Sequence, residues 1–228
     1  SIVLLTSLLQ FVGLGPSRLL NLGLPVEIPS TLGFNLTGSA LIAAEIAFVT
    51  LVGSTVVFTR KKIHLDVLQK AGVLLTLVSF LLHTWALLPG NAAEIQRLPW
   101  AASWSIAVDT LRAPRTALIG FGPEGYANAY TLFKPQWVNG TDVWNVQFIQ
   151  GSSAVFTYLT TFGLLGLAAF IAVVAAVIRE RKKVDSDSQA IYWMIVAVLG
   201  LFFIFPANVS LLFVLGSLLA LWIGSESD

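Results

Sequence analysis

Five long apolar blocks run along this chain and are separated by polar segments. They occupy residues 37–59, 69–88, 151–178, 190–205 and 207–223. An α-helix needs about 20 apolar residues to cross the hydrocarbon core of a bilayer, so the first three blocks have the length of transmembrane helices. The last two are shorter and are interrupted only around Pro206, which predicts a tight helical hairpin.

A sixth apolar block occupies residues 1–14 and is short for a span. No initiator Met and no signal-peptide pattern precede it, so we expect the end of a truncated helix in a chain that lacks upstream membrane segments. An irregular connection is predicted over residues 18–33. The predicted fold class is an all-α membrane protein with about six transmembrane helices and one long extracytoplasmic loop that carries an amphipathic helix.

Basic residues orient these helices. Eight of the thirteen Lys and Arg residues lie in two short stretches, 60–70 and 179–183. Cytoplasmic loops carry an excess of Lys and Arg, so both stretches are predicted to be cytoplasmic. Residues 90–150 are then extracytoplasmic, and the C-terminus is cytoplasmic. The predicted domains are membrane helices over 1–89, an extracytoplasmic loop domain over 90–150 and further membrane helices over 151–228.

The extracytoplasmic interval begins with a predicted amphipathic helix over residues 99–112. One face carries apolar side chains at helical spacing: Trp100, Trp104, Ala107, Val108 and Leu111. The polar residues Ser105, Asp109 and Arg112 lie on the opposite face. Tryptophan is enriched at membrane–water interfaces, so we expect this helix among the lipid headgroups.

Composition narrows the functional classes. Charged residues make up only 11% of this chain, against about 25% in soluble domains. A net charge of +1 provides no basic surface for nucleic acid, and the lipid bilayer is the expected partner. With no cysteine and only two histidines, His64 and His83, a thiolate or histidine-rich metal site is not expected, and no cofactor is predicted.

Two arginines follow the amphipathic helix. The guanidinium group of Arg112 or Arg115 can hold a phosphate through a pair of hydrogen bonds, and a lipid-linked phosphate is the ligand expected beside a membrane. The alternative is that both side chains simply extend from the membrane surface into water. Arg97 and Lys134 are further candidates of the same kind.

Carboxylates on the outer side are the candidates for proton transfer. Asp109 and Glu124, and also Glu94 and Asp142, have the chemistry to deprotonate an acceptor hydroxyl or to stabilise charge on a sugar. The alternative for each is a solvated surface carboxylate. Glu45 lies inside an apolar block, where a carboxylate is costly; it indicates either a functional group or a protonated side chain bonded to a neighbouring helix.

A glycine-rich turn stands at the centre of the interval. Gly120, Gly122 and Gly125 match the spacing of a dinucleotide-binding fingerprint, but that motif requires a preceding strand and a βαβ unit. A membrane interval supplies neither. We therefore interpret Gly120, Gly122 and Pro123 as a structural turn that requires positive φ angles, which glycine adopts without strain.

Several of these segments together resemble the C-terminal half of the O-antigen ligase family. In that family an amphipathic outer helix leads to a G-x-G-P turn, and the next transmembrane helix carries a G-x-x-G step. The corresponding segments here are Ser103-Trp104, Gly120-Phe121-Gly122-Pro123 and Gly163-Leu164-Leu165-Gly166. An arginine of the family corresponds here to Trp100, and its histidine falls near Ser152 and Ser153.

The resemblance implies a glycosyltransferase of the bacterial cytoplasmic membrane. Members of this family move a glycan from a polyprenyl-pyrophosphate carrier to an acceptor on the outer face, without a metal or nucleotide cofactor. Arg112 and Arg115 would then contact the pyrophosphate. The alternative is a non-catalytic membrane scaffold or assembly subunit that shares the fold and contacts a partner through Trp137, Trp144 and Phe148. A transporter component is a third possibility.

Overall fold

The computed structural model describes residues 39–61, 66–91, 96–181 and 188–225, together with residues 5, 6, 9 and 37. Within these residues the chain is helical and contains no strand. The helices are α1 (Ala40–Lys61), α2 (Val67–Ala86), α3 (Trp100–Thr110), α4 (Pro114–Ile119), α5 (Tyr126–Phe133), α6 (Ala154–Glu180), α7 (Gln189–Ile204) and α8 (Val209–Ser225). A short 3-10 helix, Gln136–Gly140, follows α5.

Three of these helices are long and apolar enough to cross a membrane. They are Ala40–Thr59 within α1, Val67–Ala86 and Ala154–Glu180, so the all-helical fold is confirmed and three of the predicted spans are helices with the length and composition to cross a membrane. Helices α7 and α8 have 16 and 17 residues, or about 24–26 Å, which is shorter than the hydrocarbon core. Most of the first apolar block lies outside the described residues. The orientation of the helices across the membrane and the domain boundaries based on it stay predictions.

Polar residues begin several of the apolar helices. The Ser39 hydroxyl accepts a hydrogen bond from the Ile42 backbone N–H at 3.1 Å and so caps α1. The Ser153 hydroxyl caps α6 through the Phe156 N–H at 3.4 Å. Asn208 caps α8 in the same way. Each cap satisfies a backbone donor that the first turn of a helix leaves without a partner, which matters most where no water is present.

The chain divides into two compact units. The first comprises residues 1–95, 184–198 and 208–228 and contains the α1–α2 pair. Small residues of α1, such as Ala43 and Ala47, are fully buried, which lets neighbouring helices approach closely. The buried side of α2 is polar or small and consists of Thr76, Ser79, His83 and Ala86. Four of its leucines are exposed, as expected for a helix surrounded by lipid: Leu68, Leu74, Leu77 and Leu81.

The second unit comprises residues 96–183 and 199–207 and contains α3 to α6. Its buried core joins residues 98–148 into one packed body: Leu98, Ala102, Ile106, Tyr126, Ala129, Tyr130, Val138 and Phe148. The Tyr130 hydroxyl donates a hydrogen bond to the Val146 carbonyl at 3.1 Å. The aromatic-rich stretch after the glycine turn is therefore α5 followed by an irregular segment folded back over it.

Helix α3 is amphipathic, and its aromatic side faces away from the buried core. Trp100 and Trp104 are 47% and 56% exposed. The Trp100 ring packs edge-on against Phe156 of α6 with centroids 5.1 Å apart, and the Trp104 ring is tilted against the same ring at 6.0 Å. Ala107, which we predicted on the tryptophan face, is instead fully buried with Ile106. A face of small residues packs closely against α5 and α6, whereas the large indole rings have no room there.

Candidate functional site

The glycine turn between α4 and α5 has an unusual backbone. Gly120, Gly122 and Glu124 have φ angles of 66°, 90° and 60°. Gly120 also has ψ of −162°, a combination that is essentially restricted to glycine. A Cβ atom at Gly120 would overlap the Thr161 backbone of α6. The sequence therefore requires glycine here for both conformation and space, as predicted for a structural turn.

The turn is hydrogen-bonded to a kink in α6. The backbone N–H of Phe121 donates to the Thr160 carbonyl at 3.0 Å, and that of Gly122 donates to the Thr161 carbonyl at 2.8 Å. Three residues after Thr160, Gly163 leaves the helical conformation, with φ of 64° and ψ of −157°. Because that kink disrupts the local helical ladder, carbonyl groups of α6 become available to the turn.

A glycine on each side allows the two backbones to approach closely at this junction. A Cβ atom on Gly163 would lie 2.6 Å from the backbone carbonyl of Leu118, just as one on Gly120 would overlap α6. We call this contact, formed by residues 118–122 and 160–163, the glycine junction. It joins the G-x-G-P turn and the G-x-x-G step, the two glycine motifs on which the family resemblance depends.

Arg112 and Asp109, predicted for different roles, form an ion pair. Arg112 Nη2 lies 2.8 Å from Asp109 Oδ1, and the side chains are 78% and 19% exposed, respectively. An exposed pair of this kind contributes only about 0.2–1 kcal/mol. Arg112 can therefore release the Asp109 carboxylate and bind a more highly charged anion at little cost. Without such an anion, Asp109 holds the Arg112 side chain in place.

Arg115 and Glu124 remain open to solvent. Both side chains are exposed, and neither forms a hydrogen bond or an ion pair with a described residue. Arg115 lies in α4, whose start is fixed by the Thr116 hydroxyl, which donates to the Thr110 carbonyl at 2.6 Å. The structure thus places both arginines around one rigid corner between α3 and α4, and it shows no contact between Glu124 and either of them.

The other two candidate cations, Lys134 and Arg97, have structural contacts. The Lys134 ammonium group donates to the Trp144 carbonyl at 2.6 Å and lies 5.7 Å from the centre of the Tyr130 ring. The Arg97 guanidinium carbon lies 5.3 Å from the centre of the Phe205 ring. Lys134 therefore holds the irregular segment after α5, and a cation–π contact engages Arg97.

A buried group of hydroxyls near the start of α6 was not anticipated. The Ser103 hydroxyl accepts a hydrogen bond from the Ser152 backbone N–H at 2.9 Å. Burial raises the pKa of Tyr126 to about 12, and the nearby Ser103 hydroxyl offsets part of that rise. The buried Tyr126 hydroxyl has no hydrogen-bond partner among the residues that the structure describes. Gly151 leaves space for the phenol, since a Cβ there would lie 3.1 Å from the Tyr126 hydroxyl oxygen.

These buried hydroxyls lie in the region that corresponds to the histidine of the O-antigen ligase family. Ser152 is 1% exposed, and its hydroxyl has no hydrogen-bond partner in the described part of the chain. Ser153 caps α6. Neither serine is open to solvent, so neither takes the place of an accessible base. The sequence signal for their structural role was the pair of serines immediately before a long apolar block.

Polar residues inside the candidate spans also form hydrogen bonds. Glu45 is 2% exposed and accepts a hydrogen bond from the Asn208 amide at 2.8 Å. His83 is buried, and its Nδ1 donates to the Ser79 carbonyl at 2.7 Å. Among the described residues, no group of three His, Cys, Asp or Glu side chains is arranged to hold a metal ion.

Comparisons with known proteins leave the resemblance untested. No family model, no curated protein and no solved structure matches this chain.

Proposed function

We propose that this chain is a glycan ligase of the O-antigen ligase type. It would move a glycan from a polyprenyl-pyrophosphate carrier to an acceptor on the outer face of the bacterial cytoplasmic membrane. The glycine junction carries this proposal. The two short motifs that suggested the family lie about 40 residues apart in sequence, and they meet through two backbone hydrogen bonds and two close glycine contacts.

The junction would position a site for the lipid carrier. An open, apolar groove of about 540 Å³ lies along α6 and is lined by Ile119, Tyr158, Phe162 and Leu165, among others. Arg115 precedes Ile119 by four residues in α4, so the two side chains share a face one turn apart. A polyprenyl chain in the groove would therefore bring its pyrophosphate to Arg115, with Arg112 across the corner.

The two candidate carboxylates would then have different tasks. Asp109 is bound to Arg112 and would orient that guanidinium group. Glu124 is exposed and has no described partner, so it is the carboxylate available to deprotonate an acceptor hydroxyl. Its position in the glycine turn would keep it close to the membrane span that carries the donor.

The test is transfer of a polyprenyl-pyrophosphate-linked glycan by the chain in vesicles. A charge-assisted hydrogen bond contributes about 1.5–3 kcal/mol, so Arg115→Ala should lower kcat/KM about 10- to 150-fold. Arg115→Lys should recover only part of the loss, because lysine cannot form the paired contact. Lys70→Ala is the matched control, since Lys70 is an exposed cation on α2. Unchanged transfer in both Arg112→Ala and Arg115→Ala would refute this site.

A membrane scaffold is the second candidate, because two large aromatic side chains remain uncovered. Trp137 and Trp144 are 49% and 59% exposed in the irregular segment after α5. Phe148, which we also expected at a partner surface, is instead buried in the core. A scaffold should lose a co-purifying partner in Trp137→Ala and Trp144→Ala. A ligase should purify alone in detergent and retain transfer in both variants.

A further inference from the structure

Glu45 is a buried carboxyl group that the proposed ligase site does not use. It lies five residues into α1, or about 8 Å along the helix axis from Ala40. Helix α1 supplies a candidate membrane span that begins at Ala40, and the Glu45 side chain is 2% exposed. The carboxyl group is therefore removed both from bulk water and from the end of the span.

Its hydrogen-bond partner is held in one orientation. Asn208 Oδ1 accepts a hydrogen bond from the Leu211 backbone N–H at 2.9 Å and caps α8. Because this cap requires the amide oxygen, the amide nitrogen must point the other way. Asn208 Nδ2 accordingly donates to Glu45 Oε2 at 2.8 Å. The cap of α8 thus presents a neutral donor, without a positive charge, to the carboxyl group.

The second carboxyl oxygen has no partner in the described part of the chain. Glu45 Oε1 is buried without a hydrogen bond to any described residue, and Glu45 forms no ion pair with one. Helices α2 and α8 pack against α1, and Met194 of α7 also contacts it, at Gly53. The titratable side chain of α7 is Tyr192. Helix α8 has no titratable side chain, whereas α2 carries Lys70, at its other end, and His83. The Phe48–Phe80 ring contact at 6.0 Å places His83 level with Glu45, and the His83 ring bonds to its own helix through the Ser79 carbonyl.

We propose that Glu45 and Asn208 form a proton-binding site that joins α1 to the start of α8, with Glu45 present as a neutral carboxylic acid. A buried carboxylate with one neutral donor and one bare oxygen is costly in an apolar setting, and a bound proton removes that charge. Asn208 then donates to the carbonyl oxygen, and the proton resides on Oε1.

A neutral carboxylic acid in an apolar setting also has a characteristic reactivity. It adds to a membrane-soluble carbodiimide, such as dicyclohexylcarbodiimide. The carboxyl proton moves to one carbodiimide nitrogen, and the carboxyl oxygen bonds to the central carbon. The resulting O-acylisourea rearranges to a stable N-acylurea, so the product retains every atom of both reactants. Glu45 is thus a predicted modification site for apolar carbodiimides.

Infrared spectroscopy of the chain in vesicles at neutral pH tests the protonation directly. The spectrum should contain the carbonyl band of a protonated carboxylic acid, and Glu45→Gln should lose it. Asp109→Asn, which changes a partly exposed ion-paired carboxylate, should retain it. Asn208→Ser keeps a good helix cap but removes the amide donor, so it should shift the band to higher frequency and leave the fold intact.

Mass spectrometry after carbodiimide treatment is the second readout. The peptide that contains Glu45 should gain the mass of one dicyclohexylcarbodiimide, and Glu45→Gln should abolish this. The contradicting infrared result is that Glu45→Gln instead removes a carboxylate band and leaves the carboxylic acid band unchanged. Glu45 would then be ionised, with or without a bound cation, and the proposal would be wrong. The same conclusion follows if Asn208→Ser leaves the band at its original frequency. None of these readouts depends on glycan transfer.

Discussion

Replacing Gly163 by alanine should break the glycine junction. The backbone of Gly163 has φ of 64° and ψ of −157°, and an added Cβ would lie 2.6 Å from the Leu118 carbonyl. An L-residue at this position either stays strained or returns to helical angles. Since alanine is the best helix former, we expect α6 to straighten and to withdraw its carbonyl groups from the turn.

The magnitude follows from the contacts at the junction. Backbone strain in this region of φ/ψ space costs about 1–3 kcal/mol. Relief of that strain by straightening would instead break the hydrogen bonds from Phe121 and Gly122 to α6, each contributing about 1 kcal/mol. Either outcome lowers the free energy of unfolding, by about 1–3 kcal/mol if the strain is retained and by about 2 kcal/mol if the two hydrogen bonds are lost. Gly140→Ala is the control, because a Cβ there meets no atom within 4 Å and its φ is not positive.

Reversible unfolding in mixed micelles measures this difference, with tryptophan fluorescence as the signal. Limited proteolysis of residues 118–125 gives a local readout, since release of the turn should expose that segment. Gly163→Ala should lower stability and speed cleavage there, whereas Gly140→Ala should change the free energy of unfolding by less than about 0.5 kcal/mol. If Gly163→Ala matches the wild type in both assays, the junction does not hold the turn on α6.

Three further predictions concern the second unit. Stability should fall as pH rises from 10 towards 12, by up to about 3 kcal/mol, because the Tyr126 phenol stays protonated in the folded state and ionises first in the unfolded state; Tyr126→Phe should remove this fall in alkaline unfolding curves. Lys134→Met should lower the free energy of unfolding at neutral pH by about 1–2 kcal/mol, because it removes the hydrogen bond to the Trp144 carbonyl. A decrease below about 0.3 kcal/mol would contradict this contact. Single-tryptophan variants that retain Trp100 or Trp104 should be quenched by brominated lipids, whereas strong quenching of Trp137 alone would contradict the placement of α3.

Hydropathy alone predicted the membrane helices well. The candidate spans begin or end within about three residues of the predicted blocks, because a bilayer requires a minimum apolar length and charged residues mark one end of each block. Glycine spacing likewise identified the turn at Gly120 and Gly122. Glu124 was not predicted to have a positive φ, since only the turn geometry around it imposes that angle.

Contacts between distant segments were not accessible from the sequence. The kink at Gly163 lies in an apolar block that has the pattern of a continuous helix, and only the turn packed against it explains the break. Asn208 is 163 residues from Glu45, so no local pattern joins them. Phe148 was interpreted as a partner contact because it follows Trp144, yet the fold buries it. The pairing of Arg112 with Asp109 is local, yet the sequence analysis assigned the two side chains separate roles and did not join them.

Binding of a polyprenyl pyrophosphate, compared with the uncharged polyprenol of the same length, tests the central proposal most directly. Native mass spectrometry or a vesicle-based titration would give both affinities. The wild-type chain should bind the pyrophosphate at least about tenfold more tightly than the polyprenol. The double variant Arg112→Ala/Arg115→Ala should bind the two lipids equally, while Lys70→Ala should behave as the wild type. Equal affinity of the wild-type chain for both lipids would contradict a pyrophosphate site at this corner.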